Sequence, residues 1–319
     1  MRREEFYFDS RDGETKIHAV KWIPDGKPVC ILQIVHGMAE YIARYDRLAQ
    51  KLAKEGILVT GEDHLGHGLS VCGKAGETDH PLGYFCSHDP ATVVVRDVHR
   101  LKKIVQEQYP GTPYLIMGHS MGSFITRNYL CRYGTGIDGV IIMGTGMQPR
   151  IVVKAAKGLS VILGKIQGEK HVSKFVDRLA FGSYNKRIDN PASGMDWLSG
   201  DAGEVQKYLD DPLCGFTFTL NGFSTLFELI DRLYDRDSLA KMPPELPVLF
   251  VAGEKDPVGD YGRAVKQVAE SFRALGMRKV ECKLYPEMRH ELVNETGRET
   301  VDEDILNWVR KTVEEQKEQ

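Results

Sequence analysis

No apolar run in this sequence approaches the roughly 20 residues that a membrane-spanning helix requires. An excess of one charge is missing too. Forty-two Lys and Arg stand against 45 Asp and Glu, a net charge of −3, which gives no reason to expect a nucleic-acid partner. The opening Met-Arg-Arg-Glu-Glu-Phe-Tyr-Phe is charged but has no apolar core behind it, so no secretory signal is expected. Cysteine is sparse: Cys30, Cys72, Cys86, Cys131, Cys214 and Cys282 are scattered, with no C-x-x-C pair. Most lie in apolar runs, so buried free thiols and a cytoplasmic location are expected. Internal repeats and low-complexity segments are lacking as well. The composition, 42% hydrophobic and 27% charged over 319 residues, suits one large globular domain or one with a sizeable insertion.

The chain is organised around residues 113–122, Pro-Tyr-Leu-Ile-Met-Gly-His-Ser-Met-Gly. Residues 114–117 read as a buried strand and 124–133 as a helix, with Gly118-His119-Ser120-Met121-Gly122 between them. Strand, G-x-S-x-G and helix in that order describe a nucleophile elbow, a tight turn that presents a serine at the tip of a sheet. The flanking glycines leave room where a Cβ would collide. The helix start favours negative charge at the reacting centre.

Before the elbow, residues 5–8 and 15–23 alternate around Arg11-Asp12-Gly13 and predict an antiparallel hairpin. Residues 29–35 form a solid apolar run, as for a strand buried on both faces. A helix is expected over 41–54, a strand over 57–60, a loop over 71–89 and a long amphipathic helix over 90–109. After the elbow, strands are expected at 139–143, 247–252 and 279–285, and helices at 260–275 and 299–315. The gap between the strands at 139–143 and 247–252 exceeds a simple helical crossover, so roughly 70 residues are inserted there. Buried strands alternating with helices give an α/β fold with a mostly parallel sheet.

A serine hydroxyl needs a base. Beyond His171 only one histidine remains, His290, in a loop after the last strand, where it opens on the same sheet edge as the elbow. The base needs a carboxylate to orient it. Asp256 is the first aspartate past the strand at 247–252; Glu254 and Asp260 are rivals. Ser120, Asp256 and His290 follow the chain order of the α/β-hydrolase arrangement. Donors for a developing oxyanion are expected from the backbone N–H of Met121 and, in the turn His36-Gly37-Met38, that of Met38. Asp63, His64 and His67 could mimic a metal cluster, but their spaced glycines favour a tight turn, and no metal or cofactor is expected. His119 is expected to pack beside the elbow, while His80, His88 and His99 show no partner pattern.

In the insertion, residues 150–166 form a basic amphipathic helix. Ile151, Val152, Ala155, Ala156, Leu159, Ile162, Leu163 and Ile166 lie on one half, and Arg150, Lys154, Lys157 and Lys165 on the other. The favoured expectation is a lid with its apolar face on the core and its lysines in water; transient contact with an anionic membrane surface is the sharper alternative. Further on, Phe216, Phe218, Leu220, Phe223, Leu226 and Phe227 supply apolar surface. Phe216, Phe218, Leu159 and Ile162 are the expected contacts of an acyl chain.

His36-Gly37-Met38-Ala39-Glu40, Asp63 with Gly66-His67-Gly68 and Ser70, Gly118 to Gly122, Asp256-Pro257 and Arg289-His290-Glu291 resemble the monoacylglycerol lipase/lysophospholipase-like α/β-hydrolases, also described as serine aminopeptidase-like. The resemblance spans about residues 15–310 and is weakest in the insertion. It implies an α/β-hydrolase fold, with a mostly parallel eight-stranded sheet flanked by helices and a helical cap inserted after strand six. The corresponding division is a core of 1–147 and 224–319 and a cap of 148–223. It further implies Ser120 as nucleophile, His290 as base, Asp256 as orienting acid, and the Met38 and Met121 amides as the oxyanion hole. The loop at 36–40 departs from the His-Gly-Gly-Pro type of proline iminopeptidases, which weighs against a peptidase. The expected function is hydrolysis of lipid carboxylic esters, monoacylglycerols or lysophospholipids, through an acyl-enzyme. A short-chain carboxylesterase is the alternative, and a non-catalytic ligand-binding protein the rival from another class.

Overall fold

The computed structural model describes residues 1–72 and 81–317. Its sheet begins with the hairpin β1 (Arg2–Asp9) and β2 (Lys16–Ile23), paired antiparallel from Arg2↔Ile23 to Asp9↔Lys16. The turn closes because Asp12 Oδ1 accepts the N–H groups of Glu14 at 2.8 Å and Thr15 at 2.9 Å.

β3 (Cys30–Val35) is followed by a 3-10 turn at Ile42–Tyr45, then α1 (Asp46–Lys54) and β4 (Ile57–Glu62). The helix expected from 41 therefore starts late. Its entry is pinned from outside, since Ile42 N–H donates to Asp63 Oδ1 at 2.8 Å. The expected loop at 71–89 opens with the end of α2 (Gly68–Cys72), and its residues 73–80, His80 among them, lie outside the described residues. α3 (Pro90–Gln108), with proline in its first turn, leads to β5 (Tyr114–His119) and α4 (Met121–Tyr133). α4 begins immediately after Ser120, three residues earlier than expected.

β6 (Gly139–Met143) and β7 (Val248–Gly253) bracket the insertion, which holds α5 (Arg150–Gln167), α6 (Lys174–Phe181), α7 (Ala202–Asp210), α8 (Leu220–Arg232) and α9 (Arg236–Leu239). The expected division at 223/224 falls inside α8. That helix is sewn to the preceding chain through Asn221, whose Oδ1 accepts Phe85 N–H at 3.0 Å and whose Nδ2 donates to Cys86 O at 2.9 Å. α10 (Arg263–Ala274), β8 (Val280–Tyr285) and α11 (Arg298–Lys317) complete the chain.

The eight strands lie in the order β1-β2-β4-β3-β5-β6-β7-β8, parallel except where β2 meets β1 and β4. β3 to β7 are buried along their whole length, because helices cover both faces. One core layer packs β-strand residues such as Ile116 and Phe250 against α3, α4, α8 and α10. The other packs Leu115 and Val251 against α1 and α11. In a parallel sheet of this kind the carboxyl ends of the strands share one edge. β3, β5, β6, β7 and β8 there deliver His36, Ser120, Gly144, Asp256 and His290 to a common neighbourhood.

Candidate active site

Ser120 has φ +53° and ψ −120°, a left-handed conformation that side chains rarely adopt. Three bonds over-determine it. Its N–H donates to Met143 O at 3.0 Å, and its carbonyl accepts from Ser123 N at 2.8 Å and Ser123 Oγ at 2.6 Å. The glycines of the motif are steric necessities. A Cβ on Gly122 would collide with the carbonyl oxygens of Val35 and His36, and one on Gly118 with Thr126 Oγ1 and Gly122 O. Met121 is the first residue of α4, so its N–H is among those with no acceptor inside the helix.

His290 is buried in the loop after β8, and its Nδ1 lies 3.0 Å from Asp256 Oδ2. Asp256 is fully buried, and its other oxygen accepts Val258 N–H at 2.8 Å. With a carboxylate as its partner, Nδ1 carries the hydrogen and Nε2 is left as the basic nitrogen. The ring lies against His119, centroids 4.8 Å apart, and Trp197, at 5.1 Å. Of the rival acids, Glu254 is exposed and Asp260 is bound at the surface to Arg263 Nε at 2.6 Å. No hydrogen bond joins Ser120 Oγ to the His290 ring among the described residues. Both line one cavity of about 660 Å³, together with Met38 and Met121.

The turn carrying Met38 is held from two sides. Gly37 N–H donates to Glu40 Oε1 at 2.6 Å. On the other side His64 N–H donates to His36 Nε2 at 3.0 Å, which leaves His36 Nδ1 to donate to Gly37 O at 2.8 Å. Asp63 ties the next turn. Its carboxylate accepts Ile42 N and Leu69 N, both at 2.8 Å, and faces His18 Nδ1 at 2.9 Å. Asp63, His64 and His67 are thus engaged in turn and loop geometry.

Glu40, Arg44 and Glu291, to which the sequence assigns no role, stand beside this site together with His119, which packs by the elbow. Glu40 Oε2 accepts from Arg44 at 2.9 Å, and Arg44 makes a bidentate pair with Glu291, at 2.6 and 2.7 Å. His119 bridges Glu40 and the backbone of His290. Glu40 and Arg44 are four apart on one turn, which is a readable signal. His119 and Glu291 adjoin Ser120 and His290 in sequence, but their pairing with Glu40 and Arg44 is made only by the fold.

The cap wall corrects two expectations. Leu159 and Phe216 line the cavity, beside Val152, Ala156, Phe181 and Trp197. Phe218 does not. It is fully buried among His67, Phe85 and Phe223, with ring centroids 5.3, 5.8 and 5.9 Å away, because it sits where the chain enters α8. Ile162 lies outside the cavity and is 58% exposed. The helix orientation explains this, since α5 turns part of its basic side inward. Lys157 Nζ meets Glu228 at 2.7 Å and Asp231 at 3.0 Å, and Arg150 meets Asp231 at 3.1 Å, all on α8. Ile151 and Ile166 are consequently 80% and 74% exposed, so only part of the apolar half expected to face inward does so, Val152, Ala156 and Leu159 among it.

A central parallel sheet, a strained serine between strand and helix, and a buried histidine–aspartate pair on the same edge define an α/β-hydrolase. Over residues 26–297 the chain matches the family described as serine aminopeptidase, S33, and it belongs to that family. Within it, the chain is a carboxylic ester hydrolase. It is 28% identical to the monoacylglycerol lipase of Mycolicibacterium smegmatis over 312 residues, covering 96% of this chain and 97% of that protein. It is also 28% identical to the monoglyceride lipase of Rattus norvegicus over 298 residues, covering 90% and 84%. The solved structure of a thermostable carboxyl esterase from Bacillus coagulans, in complex with glycerol, superposes with TM-score 0.90 at 30% identity, covering 98% and 99%. No described helix is long and apolar enough to cross a membrane.

Proposed function

We propose that the chain hydrolyses monoacylglycerols through an acyl-enzyme on Ser120. The observation that carries this reading is the 3.0 Å contact between buried Asp256 and His290 on the wall of the cavity that also holds Ser120. Ser120 Oγ attacks the ester carbonyl while His290 Nε2 takes its proton, and Asp256 holds the ring in the required tautomer. The Met38 and Met121 N–H groups receive the charge on the tetrahedral oxygen. Its collapse breaks the bond to the alcohol, which leaves with the proton from His290. Water, activated by the same nitrogen, then releases the fatty acid and restores Ser120. Ser120 and His290 share the cavity wall, and the hydrogen bond between such groups tightens on substrate binding.

Cavity chemistry supports the lipid class. Aliphatic and aromatic cap residues, Leu159, Phe216 and Phe181 among them, suit an acyl chain. Among the described residues no lysine or arginine lines the cavity, whereas Glu40, Asp177 and Glu291 do. Glu40 and Glu291 are paired with Arg44, so among the described residues the cavity offers no free cation to a phosphate, which favours neutral monoacylglycerols over anionic lysophospholipids. The test is turnover of monoacylglycerol, lysophosphatidate and p-nitrophenyl esters of increasing chain length. Medium or long acyl chains and the neutral glyceride are expected to lead. The similarity to a carboxyl esterase supports the esterase alternative, and an optimum at acetyl or butyryl would decide for it.

The cap, residues 148–223 in our division, rests on anionic membranes transiently in this reading. Ile151, Ile162 and Ile166 are exposed on α5 and Phe175 and Leu179 on α6, with Lys154 and Lys165 exposed among them. Replacing Ile162→Glu and Ile166→Glu together is expected to weaken co-sedimentation with phosphatidylserine vesicles at least about tenfold. Equal sedimentation of both proteins would remove the idea. A cytoplasmic location completes the reading and accords with Cys86, Cys131, Cys214 and Cys282 being free thiols among the described residues.

A further inference from the structure

His119 is buried directly before the nucleophile, and each of its ring nitrogens faces an oxygen. Nδ1 lies 3.1 Å from Glu40 Oε1, and Nε2 lies 3.3 Å from the carbonyl oxygen of His290. A carbonyl oxygen can only accept, so Nε2 carries a hydrogen. Glu40 Oε1 already accepts from Gly37 N at 2.6 Å and Tyr45 Oη at 2.9 Å, and Oε2 accepts from Arg44 at 2.9 Å. Glu40 is therefore an ionised acceptor, and Nδ1 carries a hydrogen as well. A ring that donates from both nitrogens is an imidazolium.

Charge balance leads to the same state. The titratable and charged groups around His119 are Glu40, Arg44, Glu291, Tyr45, His36 and His290. Two carboxylates face one guanidinium, so a second cation brings the cluster to neutrality. Burial works against a charge on His119, but the hydrogen bond and negative charge of Glu40 outweigh it and raise its pKa above the ordinary imidazole value. Burial likewise opposes ionisation of Glu40, and His119 and Arg44 more than reverse this, drawing it well below the usual carboxylate range.

We infer that His119 is a positioning residue, held as an imidazolium, that straps the loop of the base to the loop of the oxyanion donors. This rests on the triad reading proposed above. The strap runs from Gly37 N–H through Glu40 and His119 to the carbonyl of His290. Arg44 forms a second strap between Glu40 and Glu291, next in sequence to His290. Loss of the proton leaves a bare ring nitrogen against an oxygen at one end. The strap opens there, and the base loop is freed relative to Ser120.

The sign of the pH effect follows. His119 is charged below its raised pKa, and the strap is lost as pH rises through that pKa. Ester turnover by the wild-type enzyme is therefore expected to fall on the alkaline side. His119→Gln cannot titrate, so its kcat is expected to be about 10-fold to 10²-fold lower with little change in KM, and its profile to lack the alkaline fall. Glu40→Gln is expected to move that fall to lower pH. Nitrogen-detected NMR of 15N-histidine-labelled enzyme reads the state directly: both His119 nitrogens protonated at pH 7 in the wild type, one in Glu40→Gln. A wild-type His119 with a single N–H at pH 7, or a His119→Gln profile with the wild-type alkaline fall, overturns the inference. If His119→Gln does not fold, the NMR comparison decides alone. If the wild type neither cleaves esters nor reacts with a fluorophosphonate, the triad reading fails, while the protonation state of His119 is still measured.

Discussion

Ser120→Ala is expected to lower turnover of a good ester by about 10⁶, with the fold intact. The size of the loss follows from what remains. Oxyanion donors and binding alone still leave about 10³–10⁴ over the uncatalysed reaction, but no other group can form the acyl-enzyme. Alanine removes one oxygen at a position whose backbone is fixed by Met143 O and Ser123, so thermal stability is expected to change little. A purified Ser120→Ala protein that keeps even one hundredth of wild-type kcat, measured free of contaminating esterase, would show that another nucleophile carries the reaction.

Asp256→Asn is expected to cost about 10⁴ in kcat while leaving the geometry of the loop in place. Its amide oxygen can still accept from Val258 N–H, the role Oδ1 now fills at 2.8 Å. The amide nitrogen, however, would point its hydrogens at His290 Nδ1, which must then become an acceptor. That forces the proton onto Nε2 and leaves the ring unable to take one from Ser120. Steady-state assays at a pH where the wild type is most active read the effect. A loss of tenfold or less would mean that Asp256 does not orient the base; Glu254 could not replace it, being exposed.

Most of the fold is legible in the sequence, because strands buried on both faces leave apolar runs such as 114–117 and, interrupted only by Gln33, 30–35. The elbow is legible for a different reason, since its glycines answer to collisions within a few residues of the serine. What escapes is whatever depends on partners far along the chain. Periodicity divides α5 into two halves but does not say which half is covered. Glu228 and Asp231, some seventy residues on, draw Lys157 inward and leave Ile162 and Ile166 in solvent. Phe218 reads like a pocket residue beside Phe216 and stacks on it at 6.0 Å, yet His67 and Phe85, distant in sequence, and Phe223 enclose its ring and only Phe216 reaches the cavity. α4 begins at Met121 and not at 124 because the helix starts on the strained serine itself. Nothing local marks Glu291 as the partner of Arg44, 247 positions away, or gives His119 its place between Glu40 and His290.

The claim on which all of this depends is that ester cleavage passes through a covalent bond to Ser120. Quenching the wild-type enzyme in acid within its first turnovers on a long-chain p-nitrophenyl ester, followed by peptide mass spectrometry, tests it most directly. The acyl group is predicted on the peptide containing Ser120 and on no other, and it should be absent from Ser120→Ala. Sustained turnover with no acylated peptide, or with the acyl group on a different residue, would contradict the account.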